Sequence, residues 1–367
     1  MKNVSIYHSY LLPILILVAG AGIFKACQSL NNATFSDLPN SKKMRGVCWE
    51  STRDSTREAH IQSLTNHRVN WISQTPFGWQ TGVHNPEISF RSTRDRQKRR
   101  ERGLVRVAKM ARAKGIKTLL KPHIWIRQAN GKWRSDIQMN SAEEWEQWFE
   151  GYEAFILHYA ELAEQHGFEG LCIGTELLIP STQHEQRWRT IIAKIREVYS
   201  GQLTYAANFY KEYEGIKFWD ALDFIGIQGY FPLTHNEKPT LEELKRGWMP
   251  HYQKIKEIQA QWQKTIVFTE IGYRSSKDAA IRPWEWEKKG KEVNMEEICH
   301  QTQALCYQAA FETFWKEDWV GGFFIWKWTP EIYSPPSETR NRRRRPSPLS
   351  FTPKQPAREV VKKWYGE

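Results

Sequence analysis

From Met44 onward, short apolar runs alternate with helical patterns about eight times, and that alternation leaves the chain few folds to choose from. The strand patterns are Arg45–Trp49, Val69–Gln74, Lys117–Pro122, Leu171–Glu176, Leu203–Asn208, Phe224–Tyr230, Ile266–Glu270 and Val320–Trp326. Most are mostly apolar runs without clean alternation, the pattern of parallel strands covered on both faces. Between them the sequence predicts helices over Thr56–Asn66, Leu104–Lys114, Ala142–Gln165, Gln183–Tyr199, Leu241–Gln263 and Met295–Lys316, with a closing helix over Ala357–Tyr365. Ser141 with Glu144 three residues on reads as a capping box, and Gly115 and Gly167 stand where helices stop. No GxGxxG or GxxxxGK loop is present, so a (β/α)8 TIM barrel is favoured over a nucleotide-binding sheet.

Two of these strands close on a glutamate: Gly170-Leu-Cys-Ile-Gly-Thr-Glu176 and Ile266-Val-Phe-Thr-Glu270. Counted along the barrel they end strands four and seven, which face each other across its mouth. Strand ends at that mouth are where α/β barrels keep their chemistry. Hydrolysing a glycoside needs a proton for the leaving oxygen and a negative charge for the oxocarbenium-like carbon, and two carboxyls in unlike environments supply both. Tyr230 and Arg274 are placed to hold Glu270 ionised, and Asn208 and His123 to hold sugar hydroxyls. Trp326 is placed to floor the sugar subsite beside the scissile bond. Of 18 tryptophans, Trp49, Trp71, Trp79, Trp125, Trp326 and Trp328 fall near strand ends, where flat aromatic faces suit sugar rings. Trp145, Trp148, Trp188, Trp262 and Trp315 lie in helix patterns and read as core. Asp220 and Asp223 read as loop or helix-end acids.

The formal charge of +12 permits polyanion binding, but the basic runs Arg94–Arg100 and Arg340–Arg345 carry no interleaved aromatics. They read as solvated surface, and no specific nucleic-acid partner is expected. The five cysteines, Cys27, Cys48, Cys172, Cys299 and Cys306, have no metal-site spacing, and hydrolysis by two carboxyls needs neither a metal nor an organic cofactor. The apolar stretch Leu11–Phe24 behind Lys2 fits a signal-peptide core or an uncleaved membrane anchor over residues 1–27. Cys27 after Ala26 loosely resembles a lipoprotein cleavage site, although Lys25 fits poorly there. Residues 28–43 read as a linker and 44–367 as one catalytic domain. The expectation is an exported monomer, periplasmic or at the cell surface, with lipid anchoring at Cys27 as one route.

The stretches Cys172-Ile-Gly-Thr-Glu-Leu177, Phe224-Ile-Gly-Ile-Gln-Gly-Tyr230, Phe268-Thr-Glu-Ile-Gly-Tyr273, Gly322-Phe-Phe-Ile-Trp326 and Lys121-Pro-His-Ile-Trp125 resemble the pattern of glycoside hydrolase family 113. The resemblance runs from about Arg45 to Tyr365. It implies a barrel glycosidase with catalytic glutamates on strands four and seven, hydrolysing β-1,4-mannan with retention. Glu176 then matches the acid/base and Glu270 the nucleophile. Many relatives in the wider clan carry Asn before the acid/base; this chain has Thr175, which leaves the contact to the sugar 2-hydroxyl to Thr175 or Asn208. The same machinery acting on β-glucan, xylan or a host glycan is the nearest alternative. A non-catalytic glycan-binding barrel and a polyanion-binding surface protein are more distant ones. Whether the cleft cuts internally or from an end rests on the loops at 75–103 and 274–294, the second carrying Arg282, Trp284 and Trp286.

Overall fold

Among the described residues ten strands form, eight of them the expected barrel. They are β1 (Met44–Trp49), β2 (Trp71–Gln74), β3 (Phe77–Gln80), β4 (Lys117–Leu120), β5 (His123–Ile126), β6 (Gly170–Thr175), β7 (Gln202–Ala207), β8 (Ile225–Gln228), β9 (Ile266–Ile271) and β10 (Val320–Trp328). The computed structural model describes residues 43–50, 56–90, 94–286, 294–329 and 349–367. Hence the signal or anchor segment, Cys27 and the basic run Arg340–Arg345 lie outside the described residues. Among the described residues no helix is long and apolar enough to cross a membrane.

The barrel closes in the order β1, β10, β9, β8, β7, β6, β4, β2, and every neighbouring pair is parallel. Parallel strands need a crossover, and helices supply the covers that bury both faces. Accordingly β2, β6, β8 and β9 are buried at every residue. The seam between β1 and β10 depends on Gly322, whose φ of 141° is open to glycine; a Cβ there would collide with the Met44 backbone.

The covering helices are α1 (Glu58–Asn66), α2 (Arg94–Arg112), α3 (Ala142–His166), α4 (Leu178–Gln183), α5 (Glu185–Val198), α6 (Glu212–Gly215), α7 (Leu241–Trp262), α8 (His300–Phe314) and α9 (Ala357–Trp364). Helix α3 shows how they attach. Its N-terminus is held as expected, with the Ser141 hydroxyl accepting the Glu144 N–H at 3.2 Å, and Gly167 ends it in the left-handed region. Trp148, Tyr152, Phe155, Ile156 and Tyr159 recur at three- and four-residue spacing and are buried. The polar tips of two of these aromatics reach across to the barrel side: Trp148 donates to Gln80 at 3.0 Å and Tyr152 to the Ile173 carbonyl of β6 at 2.8 Å. Trp188 and Trp315 are buried like Trp148, as core residues should be.

Four local expectations change. The third barrel strand stops at Leu120, because Pro122 has no N–H to continue the ladder. Pairing restarts beyond Pro76 and Pro122 as a separate two-stranded parallel sheet, β3 with β5, in which Phe77 faces His123 and Trp79 faces Trp125. The basic run from Arg94 belongs to the helix instead of preceding it, since Arg and Lys are good helix formers where solvated. The helix expected over Gln183–Tyr199 begins at Glu185 behind the short α4. Cys299 caps α8, half-buried, while Cys48, Cys172 and Cys306 are buried free thiols.

Candidate active site

The C-terminal ends of the barrel strands gather a compact set of charges. Glu270 lies in β9, and its carboxylate is held on both oxygens. The Lys121 ammonium, just beyond β4, bonds Oε1, and the Tyr230 hydroxyl, just beyond β8, donates to Oε2 at 2.6 Å. Lys121 also donates to the Thr269 carbonyl at 3.2 Å. Burial alone disfavours a charged lysine, but Glu270 and the thiols of Cys48 and Cys172 outweigh it and hold the Lys121 pKa above its ordinary value. Tyr230 keeps its proton: burial and the adjacent Glu270 push its pKa well above the phenol range.

Glu176 follows β6 directly, in a left-handed backbone conformation with φ of 53°. A non-glycine residue there costs about 1–3 kcal/mol and persists only where its neighbours hold it. Its carboxyl accepts the Trp133 indole N–H at 2.8 Å, and the Arg134 guanidinium stands 3.5 Å away. Burial raises the Glu176 pKa, and Glu270 raises it further, while Arg134, Trp133 and Lys121 oppose. Each carboxyl thus feels the other's charge. They are two acids in unlike settings: one gripped by an ammonium and a phenol, one buried and favouring its proton.

Neutral donors and aromatics surround the pair. His123 opens β5 instead of ending the barrel strand, and its buried Nε2 lies 3.9 Å from Glu270 Oε1 without a hydrogen-bond partner. Burial, then Arg134 and Lys121, push its pKa well below the usual range, so the contact is a neutral imidazole beside a carboxylate and no ion pair. Trp125, 44% exposed, packs edge-to-face on Phe77 and Trp133 at ring separations of 6.1 and 6.0 Å. Trp326, near the end of β10, receives the Lys121 ammonium 5.8 Å from its ring centroid and abuts the exposed Trp286 at 6.0 Å. Trp284, also exposed, stacks on Phe209 at 5.4 Å. The pair in the 274–294 loop therefore packs on the rim while keeping open faces.

Other expected residues sit differently. Thr175 is buried at the end of β6, its hydroxyl 3.8 Å from the Cys172 sulfur. Asn208 uses its side-chain oxygen to accept the Tyr210 N–H at 3.0 Å, a local turn that takes up the group a sugar would use. Trp49 is buried in the core, though its indole N–H has no partner. Arg274 does not bend back to Glu270; it pairs with Asp278 at 3.0 Å, four residues on and nearer to its own backbone. Asp220 and Asp223 pair with Arg189 and Arg196, as surface acids do.

Sequence reasoning missed Lys121, Trp133 and Arg134 as members of the site. Lys121 had a signal: a lysine ending an apolar strand run must be paired if it is buried. Trp133 and Arg134 open a single 3-10 turn in the connection after β5, too short for any periodic pattern to mark direction.

A model of glycoside hydrolase family 113 matches residues 46–344. The β-mannanase of that family from Alicyclobacillus acidocaldarius, solved in complex with ManMIm, aligns at a TM-score of 0.72 and 26% identity over 91% of this chain and 99% of that one. Another β-1,4-mannanase of the family aligns at 0.70 and 28% identity, over 88% and 97% of the two chains. A β-glucuronidase from Ruminococcus gnavus, at 12% identity and a TM-score of 0.55 over 88% of this chain and 50% of that one, shares the fold alone. No curated protein matches the sequence. With the matched segment spanning every strand of the barrel, the chain belongs to glycoside hydrolase family 113 and is a glycoside hydrolase.

Proposed function

We propose that the enzyme hydrolyses β-1,4-mannosidic linkages in mannan-type polysaccharides with net retention, with Glu176 as acid/base and Glu270 as nucleophile. The observation that carries this is the contrast between the two carboxyls: Lys121 and Tyr230 grip one, while burial raises the pKa of the other. In the first step Glu176 gives its proton to the leaving oxygen as Glu270 attacks the anomeric carbon. The glycosyl–enzyme ester then forms with loss of the Glu270 charge. That loss lowers the pKa of Glu176, which now takes a proton from the water that releases the sugar. His123, with a free nitrogen beside the nucleophile, binds a sugar hydroxyl. Trp326 and Trp125 give the ring faces of adjoining subsites. The mannan assignment draws on the two related β-mannanases.

Glu270→Ala is expected to abolish turnover with the fold retained by circular dichroism. Appreciable hydrolysis of an activated aryl mannoside by that variant removes Glu270 from the nucleophile role. NMR of the first product on mannohexaose should show the β-anomer, and an initial α-anomer rejects retention. We further propose that the enzyme works outside the cytoplasm on its N-terminal segment, as Leu11–Phe24 suggests. Mass spectrometry of the mature N-terminus from the native host tests this, and an intact, unmodified Met1 in a soluble cytoplasmic fraction refutes it.

A further inference from the structure

A third carboxylate stands at this end of the barrel, and the chemistry above leaves it unused. Glu212, in the short α6 just beyond β7, is fully buried. Three donors converge on it: the hydroxyls of Tyr205 at 2.5 Å and Ser181 at 2.8 Å reach Oε1, and the Asn208 backbone N–H reaches Oε2 at 2.6 Å. A carboxylate offers only acceptors, so three inward-pointing donors describe its ionised form. The Tyr205 hydroxyl in turn accepts the Leu177 backbone N–H at 2.9 Å, and Leu177 is the residue after Glu176. Gly174, two residues before Glu176, makes room for this: a Cβ there would overlap the Tyr205 ring. Glu176 is therefore bracketed by a glycine that admits the ring and an amide that the ring's hydroxyl holds. Such a bracket suits a residue kept at positive φ.

We propose that Glu212 is a positioning residue, fixing the backbone at Glu176 through the Tyr205–Leu177 relay and, by its negative charge, setting how firmly Glu176 keeps its proton. The inference rests on Glu176 being the proton-transfer group. The titratable groups facing Glu212 are Tyr205 from β7, Tyr152 from α3 and Glu176 beyond β6; each is electrostatically coupled to it. Burial pushes Glu212 up to about 7, with Glu176 adding to the rise, and the Tyr205, Asn208 and Ser181 donors pull it down. Glu176 is the last-named influence on Glu212, and a like-charge interaction is mutual, so removing the Glu212 charge eases ionisation of Glu176.

The test is Glu212→Gln, which keeps the shape and removes the charge, assayed on mannohexaose across the pH range with folding checked by thermal melts. The expected result is a fall in kcat of about tenfold or more with KM within about twofold, and an upper limb of kcat/KM moved to lower pH by about half a unit or more. The direction follows from the lost like charge, which eases ionisation of Glu176. A profile that superposes on the wild type overturns the proposal, and so does a loss of kcat with the limb unmoved, which marks a purely structural role. If the wild type has no upper limb, or Glu176→Ala retains it, the acid assignment itself falls and takes this inference with it. Should Glu212→Gln not fold, Tyr205→Phe cuts the relay while leaving the charge; a fall in kcat of about fivefold is expected, and wild-type kcat overturns the relay.

Discussion

The two proposed catalytic carboxyls are held in different ways. Around Glu270 the partners come from the barrel itself: Lys121 directly follows β4 and Tyr230 follows β8, both buried. Around Glu176 they come from one excursion beyond β5: Trp133, 38% exposed, and Arg134, stacked 4.3 Å over its ring. Strand ends fix a group to within the tolerance of the packed core, whereas a loop can shift with what binds. A nucleophile must meet the anomeric carbon in line and gains from the stiffer mounting. A proton donor must suit both an approaching leaving group and a later water, so a softer setting serves it. The Glu176 side also carries its own compensation in the left-handed backbone and the buried network beneath it.

The largest break in the comparison comes from removing the acid. Glu176→Ala should slow cleavage of mannohexaose by about 10²–10⁴-fold, since that is what a general acid commonly contributes. On a dinitrophenyl mannoside, whose leaving group needs no proton, formation of the glycosyl–enzyme should be nearly spared and its hydrolysis should limit turnover. A burst measured by stopped flow checks this. Equal losses on both substrates, without a burst, assign the proton to another group.

Lys121→Met comes next and probes the stiff side. It leaves a buried carboxylate without its counter-charge, and losing one charged hydrogen bond of about 1.5–3 kcal/mol corresponds to roughly 10–100-fold in kcat/KM. The melting temperature should fall too, because breaking a buried pair costs about 3–5 kcal/mol. A lower melting temperature with kcat/KM unchanged makes Lys121 a structural brace.

The same division decides what the sequence made legible. The barrel, the strand-end places of Glu176 and Glu270, and the Tyr230–Glu270 bond were readable because each is tied to a strand pattern, and a parallel strand states its own ends. The place of Trp326 near the end of β10 was readable for the same reason. Arg274 was misjudged because a flexible side chain chooses the nearest acid, and Asp278 stands one helical turn's length away in sequence. Asn208 shows what a strand pattern leaves unsaid: an asparagine just past a strand also satisfies the turn it sits in. Trp133 and Arg134 were invisible, since a single 3-10 turn carries no periodicity to say which residue returns to the site. The separate β3–β5 sheet was hidden behind two prolines whose effect depends on their being side by side in space.

The smallest expected effect is also the sharpest test of the softer side. Trp133→Phe keeps the ring that packs on Trp125 and removes only the indole N–H that reaches Glu176 at 2.8 Å. That donor favours the ionised carboxylate, so its loss should make Glu176 hold its proton more firmly. The upper limb of kcat/KM on mannohexaose should therefore move to higher pH, by about 0.4–1 unit for a hydrogen bond of about 0.5–1.5 kcal/mol. This is the opposite direction to Glu212→Gln, so the two variants form a matched pair around one titration. With little change in KM and a change in kcat of only a few fold at the optimum, the loop acts on the proton and leaves the sugar alone. A large rise in KM with the limb in place instead makes Trp133 chiefly a sugar-binding surface, and the softness of the acid side then lies in the substrate it waits for.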